Sequence, residues 1–194
     1  MKFIKSAVFP EDWPEANRPE VVFVGRSNAG KSSLINAIYG SKIAKVSGKP
    51  GKTRLLNFFS VNDKYNLCDT PGYGYAAISG DEIREWQKML ETYFSLRSSI
   101  VGLVLVADVR RAWSEDEENL CAFMSQLGRP VIAALSKADK LKKNQLKSEL
   151  LKKKNLVGVQ KVMAVSSLKR TGCIELEDYV FKNWVKDWKP GGSD

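Results

Sequence analysis

The segment Gly25-Arg-Ser-Asn-Ala-Gly-Lys-Ser32 constrains what this chain can fold into more than any other stretch. It fits G-x-x-x-x-G-K-[ST], whose glycines let the backbone curl until several N–H groups point at phosphate oxygens. Such a loop works where a buried strand runs into a helix, because the helix N-terminus adds its positive dipole end to the phosphate site. Glu20-Val-Val-Phe-Val24 reads as that strand and Ser32–Tyr39 as that helix. Gly25, Arg26, Ser27, Asn28, Ala29, Gly30, Lys31, Ser32 and Ser33 are therefore candidate phosphate-binding residues. Lys31 is expected to reach the β/γ-phosphates and the Ser32 hydroxyl to ligate Mg²⁺.

The rest of the chain repeats the alternation. Short apolar runs at Leu55–Val61, Lys64–Cys68, Val101–Ala107, Val131–Leu135 and Lys161–Val165 are separated by helical stretches at Asp81–Arg97, Ser114–Leu127, Lys142–Lys152 and Cys173–Trp188. Strand–helix alternation predicts a three-layer α/β domain, a mostly parallel sheet with helices on both faces. The turn Val61-Asn-Asp-Lys64 joins two of the runs as a hairpin, so one edge strand should run antiparallel. One domain over residues 1–194 is expected, with a Pro-rich, irregular arm at 1–19 and a flexible tail at 189–194.

Composition narrows the chemistry. There is no histidine, which excludes Ser-His-Asp triads, histidine acid–base catalysis and histidine metal ligands. Cys68, Cys121 and Cys173 are widely spaced and odd in number, as suits a reducing compartment, and they form no metal motif. The longest apolar run, Ile100–Ala107, is strand-length, and residues 1–10 do not read as a secretory signal, so a cytoplasmic protein without a membrane span is expected. The net charge of +9 attracts phosphate backbones, acidic proteins or anionic membranes. Its densest stretch, Lys140–Lys154, carries seven lysines spaced as on a solvated helix face around Leu146, Leu150 and Leu151.

Four further segments, in order, separate this chain from other phosphate-loop proteins. Ser47-Gly-Lys-Pro-Gly-Lys-Thr53 is small and glycine-rich, as an order–disorder segment would be; Gly51, Lys52 and Thr53 are its candidate phosphate contacts, and Thr53 a second Mg²⁺ ligand. Asp69-Thr-Pro-Gly72 follows an apolar strand, so Asp69 can hold Mg²⁺ through water and the Gly72 N–H can sense a γ-phosphate. Ser136-Lys-Ala-Asp139 offers a carboxylate to the two donors on the guanine edge, with the Lys137 stem along the base. Val165, Ser166 and Ser167 would let backbone N–H groups approach the guanine O6. Together they point to GTP and GDP as ligands.

The strings Gly25-Arg-Ser-Asn-Ala-Gly-Lys-Ser-Ser-Leu-Ile-Asn36, Gly51-Lys-Thr-Arg54, Asn57-Phe-Phe59 and Asp69-Thr-Pro-Gly-Tyr-Gly-Tyr-Ala76 resemble the EngB (YihA/YsxC) family of bacterial ribosome-assembly GTPases. The resemblance covers about residues 3–188. It implies a six-stranded Ras-like sheet, slow GTP hydrolysis, and nucleotide-dependent binding to precursors of the large ribosomal subunit, with their rRNA and ribosomal proteins as partners and the chain itself a monomer. Thr70 and Ser136 depart from the family's usual Leu and Thr, and neither removes a phosphate ligand.

Catalysis is the least legible part. Where Ras-type enzymes place a water-orienting Gln, this chain has Tyr73. Asp81, Glu82 and Glu85 are candidates for the missing role, and none stands out. Asn28 is a candidate K⁺ ligand, since several related GTPases use an Asn here to hold K⁺ beside the phosphates. Tyr73 and Tyr75, Trp184 and Trp188, and Arg110 and Arg111 are candidates for partner, RNA or phosphate contacts. The competing readings are a non-catalytic GDP/GTP-dependent adaptor, a cell-cycle-linked (septation) signalling GTPase, and a phosphate-loop ATPase or small-molecule kinase. Ser136–Asp139 disfavours the last.

Overall fold

The computed structural model describes residues 1–40, 55–74 and 80–190, and for residues 80–83 the backbone alone. Seven strands form one sheet: β1 (Lys2–Ala7), β2 (Glu20–Gly25), β3 (Leu56–Val61), β4 (Tyr65–Asp69), β5 (Ile100–Asp108), β6 (Val131–Ser136) and β7 (Lys161–Ala164), in the order β1-β3-β4-β2-β5-β6-β7. β2, β4, β5, β6 and β7 pair in parallel, while β3 pairs antiparallel with both β4 and β1. Among the described residues five α-helices accompany it: α1 (Lys31–Tyr39), α2 (Gly80–Leu96), α3 (Glu115–Gln126), α4 (Lys143–Lys152) and α5 (Cys173–Val180).

The central strands are buried on both faces, which is why they read as continuous apolar runs. One core holds Leu34 and Ile35 of α1 and Leu176 and Val180 of α5 against Phe23, Val104 and Ile132. The other holds Leu90, Tyr93 and Phe94 of α2 and Cys121 and Met124 of α3 against Val22, Leu103 and Leu105. The hairpin forms as expected. Asn62 and Asp63 both take positive φ, 49° and 55°, and the Lys64 N–H donates to the Val61 carbonyl at 3.0 Å.

Two expectations need correction. The sheet has seven strands rather than six, because the N-terminal arm is not irregular. Residues 2–7 add β1 to the edge, where ladder hydrogen bonds to β3 fix a segment whose side chains are mostly exposed, so burial gives the sequence no alternation to read. Trp13 and Pro14 then cross to α2: the Trp13 ring lies 5.3 Å from that of Tyr93, and the Pro14 carbonyl accepts from Arg97 Nη1 at 2.6 Å. The last helix also breaks early, passing at Phe181 into a π turn over Phe181–Val185. Trp184 and Trp188 are therefore not one α-helical turn apart. Trp184 is core: a Cβ on Gly102 would sit 2.6 Å from its ring.

Among the described residues each buried charged side chain is ion-paired or hydrogen-bonded. Glu20, at the start of β2, accepts from Arg97 Nε at 3.0 Å and Nη2 at 2.9 Å, and from the Tyr93 hydroxyl at 2.7 Å. This bidentate pair closes the end of the sheet away from the phosphate loop, and burying two such charges is tolerable only with this degree of compensation.

Candidate functional site

The carboxyl ends of β2, β4, β5, β6 and β7 lie along one edge of the sheet, and the described phosphate, base and magnesium candidates stand at or just after the ends of β2, β4, β6 and β7. In an open α/β sheet this is the edge where ligands bind.

The phosphate loop leaves β2 at Gly25 and turns into α1 at Lys31. Gly30 takes φ +90°, which a side chain would strain. Asn28 also takes a left-handed φ of 63°, tolerated best by Asn, Asp and Gly. Arg26 and Ser27 are half-buried, Asn28 is exposed, and Ser32 and Ser33 are half-buried at the helix start. The Ser27 Oγ is buried without a hydrogen-bond partner.

Asp69 ends β4 and pairs with Lys31, and both side chains are buried. The segment after it is stitched to the loop. The Thr70 Oγ1 donates to the Phe23 carbonyl at 3.0 Å. The Tyr73 N–H donates to Gly25 O at 3.3 Å and Ser27 N–H to Tyr73 O at 2.7 Å. A Cβ on Gly72 would meet the Ser27 backbone at 3.2 Å, so Gly72 lies directly against the phosphate loop.

The base-recognition loops meet on the other side. The Ser166 Oγ donates to Asp139 Oδ1 at 2.6 Å, and the Ala138 N–H to Val165 O at 3.1 Å, so residues 136–139 and 165–167 form one unit. The Ser166 hydrogen bond, with smaller help from Lys140 and Lys169, holds the Asp139 carboxyl below its usual range. The carboxylate is thus ionised and able to accept. Ser136 Oγ donates to the Ala29 carbonyl, and Lys137 Nζ to the Asn28 carbonyl at 2.7 Å, which joins this unit to the phosphate loop. Val165 and Ser166 are buried, and Ser167 is half-buried.

Two residues of the site were missed from sequence. Asp108, at the end of β5, accepts from Lys137 Nζ at 3.1 Å and from Arg110 Nε and Nη2 at 2.9 and 2.7 Å. Arg110 first, then Lys137, holds its carboxyl well below the usual range despite burial. It secures Lys137, whose backbone sits at a left-handed φ of 58°. Its signal was available: an Asp closing an apolar strand on the ligand edge. Glu117 of α3, 3% exposed, accepts from the Tyr73 hydroxyl at 2.8 Å and from the Ser114 N–H at 2.7 Å. Its contact with Ser114 is local to the helix start, while the Tyr73 contact spans 44 residues. Burial, then the Glu117 charge, drives the Tyr73 phenol far above its ordinary range. Tyr73 also packs on Trp86, with ring centroids 5.7 Å apart. Arg110 is committed to Asp108, while Arg111 lines a cleft with Arg26, Ser27, Asp108 and Glu117.

Gly51, Lys52, Thr53 and Tyr75 lie outside the described residues, as do the side chains of Asp81 and Glu82; Glu85 is exposed on α2.

A phosphate loop on β2, an Asp–x–x–Gly turn after β4 and paired base-recognition loops after β6 and β7 define a P-loop GTPase. Residues 20–137 match the family described as 50S ribosome-binding GTPase. The chain is 51% identical over 187 residues to the probable GTP-binding protein EngB of Bdellovibrio bacteriovorus, covering 96% of this chain and 94% of that one. Among solved structures, a probable GTP-binding protein EngB matches with TM-score 0.67 at 23% identity, over 84% of this chain and 97% of the other. Era in complex with MgGDPNP and nucleotides 1506–1542 of 16S ribosomal RNA matches with TM-score 0.68 at 23% identity, over 90% and 59%. The chain belongs to the EngB family of GTP-binding P-loop GTPases. Among the described residues no helix is long and apolar enough to cross a membrane.

Proposed function

We propose that this GTPase binds precursors of the large ribosomal subunit in its GTP form, in the cytoplasm, and releases them after slow hydrolysis. The observation that carries the nucleotide half is the single unit formed by Asp139, Ser166, Lys137 and the Asn28 carbonyl. In this reading the Asp139 carboxylate would accept from the guanine edge, at an offset from the phosphate loop set by these bonds. Residues 25–33 and Gly72 would cradle the phosphates, with Gly51, Lys52 and Thr53 completing the cradle. Ser136, Lys137, Asp139 and Val165–Ser167 would hold the base.

Magnesium fits the residues present. Among the described residues there is no group of three or more His, Cys, Asp or Glu able to hold a metal ion alone. A hydroxyl at Ser32 and a carboxylate at Asp69 beside the phosphate loop are what Mg²⁺ takes when phosphates supply the rest. The ion would neutralise charge on the β/γ-phosphates. Lys31 pairs with Asp69 in the present arrangement, and bound phosphates would compete with that carboxylate for the ammonium.

The ribosomal half rests on the description of the matched family, on the rRNA bound by its structural neighbour Era, and on the net charge of +9. The hydrolytic rate should be low, because Tyr73 is committed to Glu117 and cannot orient water as a Gln does. Co-sedimentation with large-subunit precursors tests the proposal. Binding should be tighter with a non-hydrolysable GTP analogue than with GDP; equal binding in both forms would refute the switch, and no binding in either would refute the partner.

A further inference from the structure

The charge of this protein is segregated. α3 carries four carboxylates, Glu115, Asp116, Glu117 and Glu118, and no cation. Residues 137–154, running from the base-recognition loop through α4, carry eight lysines against two carboxylates, Asp139 and Glu149. Glu149 is already bridged by Lys152 at 2.8 Å and by the buried Lys153. Among the described residues, Lys142, Lys143, Lys147 and Lys154 have no carboxylate partner, and all four are exposed.

α4 is also unusual in how it packs. It contributes no buried residue to either core. Leu146 and Leu150 are half-buried toward the domain, and Leu151 is 63% exposed. Helices α1, α2, α3 and α5 each bury an apolar face in one of the two cores. A helix that gives so little burial to the fold, yet concentrates like charges that repel one another, is not explained by stability.

We propose that α4 and the turn after it form a binding surface for the RNA phosphate backbone. This rests on the ribosomal reading above and names the surface that reading lacks. Lys143 and Lys147 stand one turn apart on one face, about 6 Å along the axis, with Lys142 and Lys154 at the two ends. Four unpaired ammonium groups on an exposed edge match a polyanion, to which lysine binds as a point charge without reading sequence. An interfacial membrane helix is a poorer match, since it needs a broad apolar face with bulky anchors. α4 has no aromatic residue, and Leu151 is its single strongly exposed aliphatic.

The surface is remote from the γ-phosphate-sensing segment. α4 packs on β7, and three strand spacings, about 14 Å, separate β7 from the phosphate-loop strand β2. Its contribution should therefore be the same in the GDP and GTP forms, a constant electrostatic hold on which the nucleotide-dependent contacts act.

The test uses the full chain with lysines 142, 143, 147 and 154 all changed to Gln. Binding to a double-stranded RNA hairpin is measured against KCl concentration, with GDP and with a GTP analogue. Each phosphate contact adds about 0.7–0.9 to the slope of log K against log salt, so the variant's slope should fall by about three. Affinity near physiological salt should fall at least about tenfold, equally in both nucleotide forms, with GTP hydrolysis and the melting temperature unchanged. The four Lys→Arg changes should preserve the slope. A control with Lys2, Lys88, Lys186 and Lys189 changed to Gln removes the same charge elsewhere. An equal loss in that control would overturn the proposal in favour of bulk charge. So would an unchanged slope in the α4 variant, or a wild type that prefers anionic vesicles to RNA. If the α4 variant loses the hairpin while the wild type fails to bind large-subunit precursors, the surface stands and the ribosomal reading falls.

Discussion

Changing Tyr73 to Phe removes one oxygen from the contact between the turn after β4 and α3. The hydroxyl donates to Glu117 Oε1 at 2.8 Å, in a site where Glu117 is 3% exposed. A hydrogen bond to a charged group contributes about 1.5–3 kcal/mol. Two facts place this one near the lower end. Oε2 keeps the Ser114 N–H at 2.7 Å, and the cleft shared with Arg26 and Arg111 lets water reach the orphaned oxygen. A loss of about 1.5–2 kcal/mol in a domain of this size lowers the melting temperature by about 3–8 °C. The assay is urea unfolding followed by circular dichroism, run as a double-mutant cycle with Glu117→Gln, which should return a coupling of about 1 kcal/mol. Basal GTP turnover should stay within about threefold, because the hydroxyl faces α3 and not the reaction. A drop of a hundredfold or more in turnover with unchanged stability would refute this, since the phenol would then be a catalytic group.

Other outcomes follow from the same geometry. Asp139→Asn should weaken GTP and strengthen xanthosine triphosphate, whose 2-oxo group accepts where guanine donates; competition binding with both nucleotides measures it. Arg97→Ala leaves Glu20 buried with only the Tyr93 hydroxyl, and should destabilise the protein by about 3–5 kcal/mol in equilibrium unfolding. Burial pushes the Cys121 thiol up to about 12 and raises the Tyr73 and Tyr93 phenols well above their ordinary range. Groups raised in the folded state stabilise fully below their unfolded values, so stability should hold to about pH 9 and fall steadily above it as the unfolded chain ionises; a pH series of urea midpoints checks the limb. K⁺ should accelerate hydrolysis more than Na⁺ through Asn28, and equal rates in the two salts would remove Asn28 from the mechanism.

The sequence was legible where one local pattern carried the whole constraint. The phosphate loop, the hairpin at Asn62-Asp63 and the buried parallel strands each follow from turn chemistry or apolar runs, and each stands where expected. It was illegible where partners are distant. Tyr73 and Glu117 are 44 residues apart, and Lys137 and Asn28 are 109 apart. No periodicity announces a hydrogen bond across the fold. β1 escaped for a different reason: an edge strand held by main-chain bonds needs no apolar alternation, and Phe3 at 53% exposure gives none. The π turn at Phe181–Val185 likewise depends on seating Trp184 over Gly102, a contact the helix pattern itself does not encode.

Two of these distant contacts bear on how the site switches. The phosphate loop is gripped from both sides: by Tyr73 main-chain bonds to Gly25 and Ser27, and by Lys137 on the Asn28 carbonyl. On the side of residues 136–139 and 165–167, Asp108 and Ser166 each hold one charged residue. The other side carries Tyr73, tied by its hydroxyl to α3 and by ring packing to Trp86, and the Lys31–Asp69 pair. Under the proposed function, a γ-phosphate that drew Lys31 away from Asp69 would act on this second side. A ligand shifts a conformational equilibrium only by its differential affinity for the two states. The Tyr73 hydroxyl bond sets the cost of releasing that side from α3, so Tyr73→Phe should narrow the difference between the GDP and GTP forms in particle binding. The α4 lysines, packed on β7 away from that turn, should leave that difference intact while setting the overall strength.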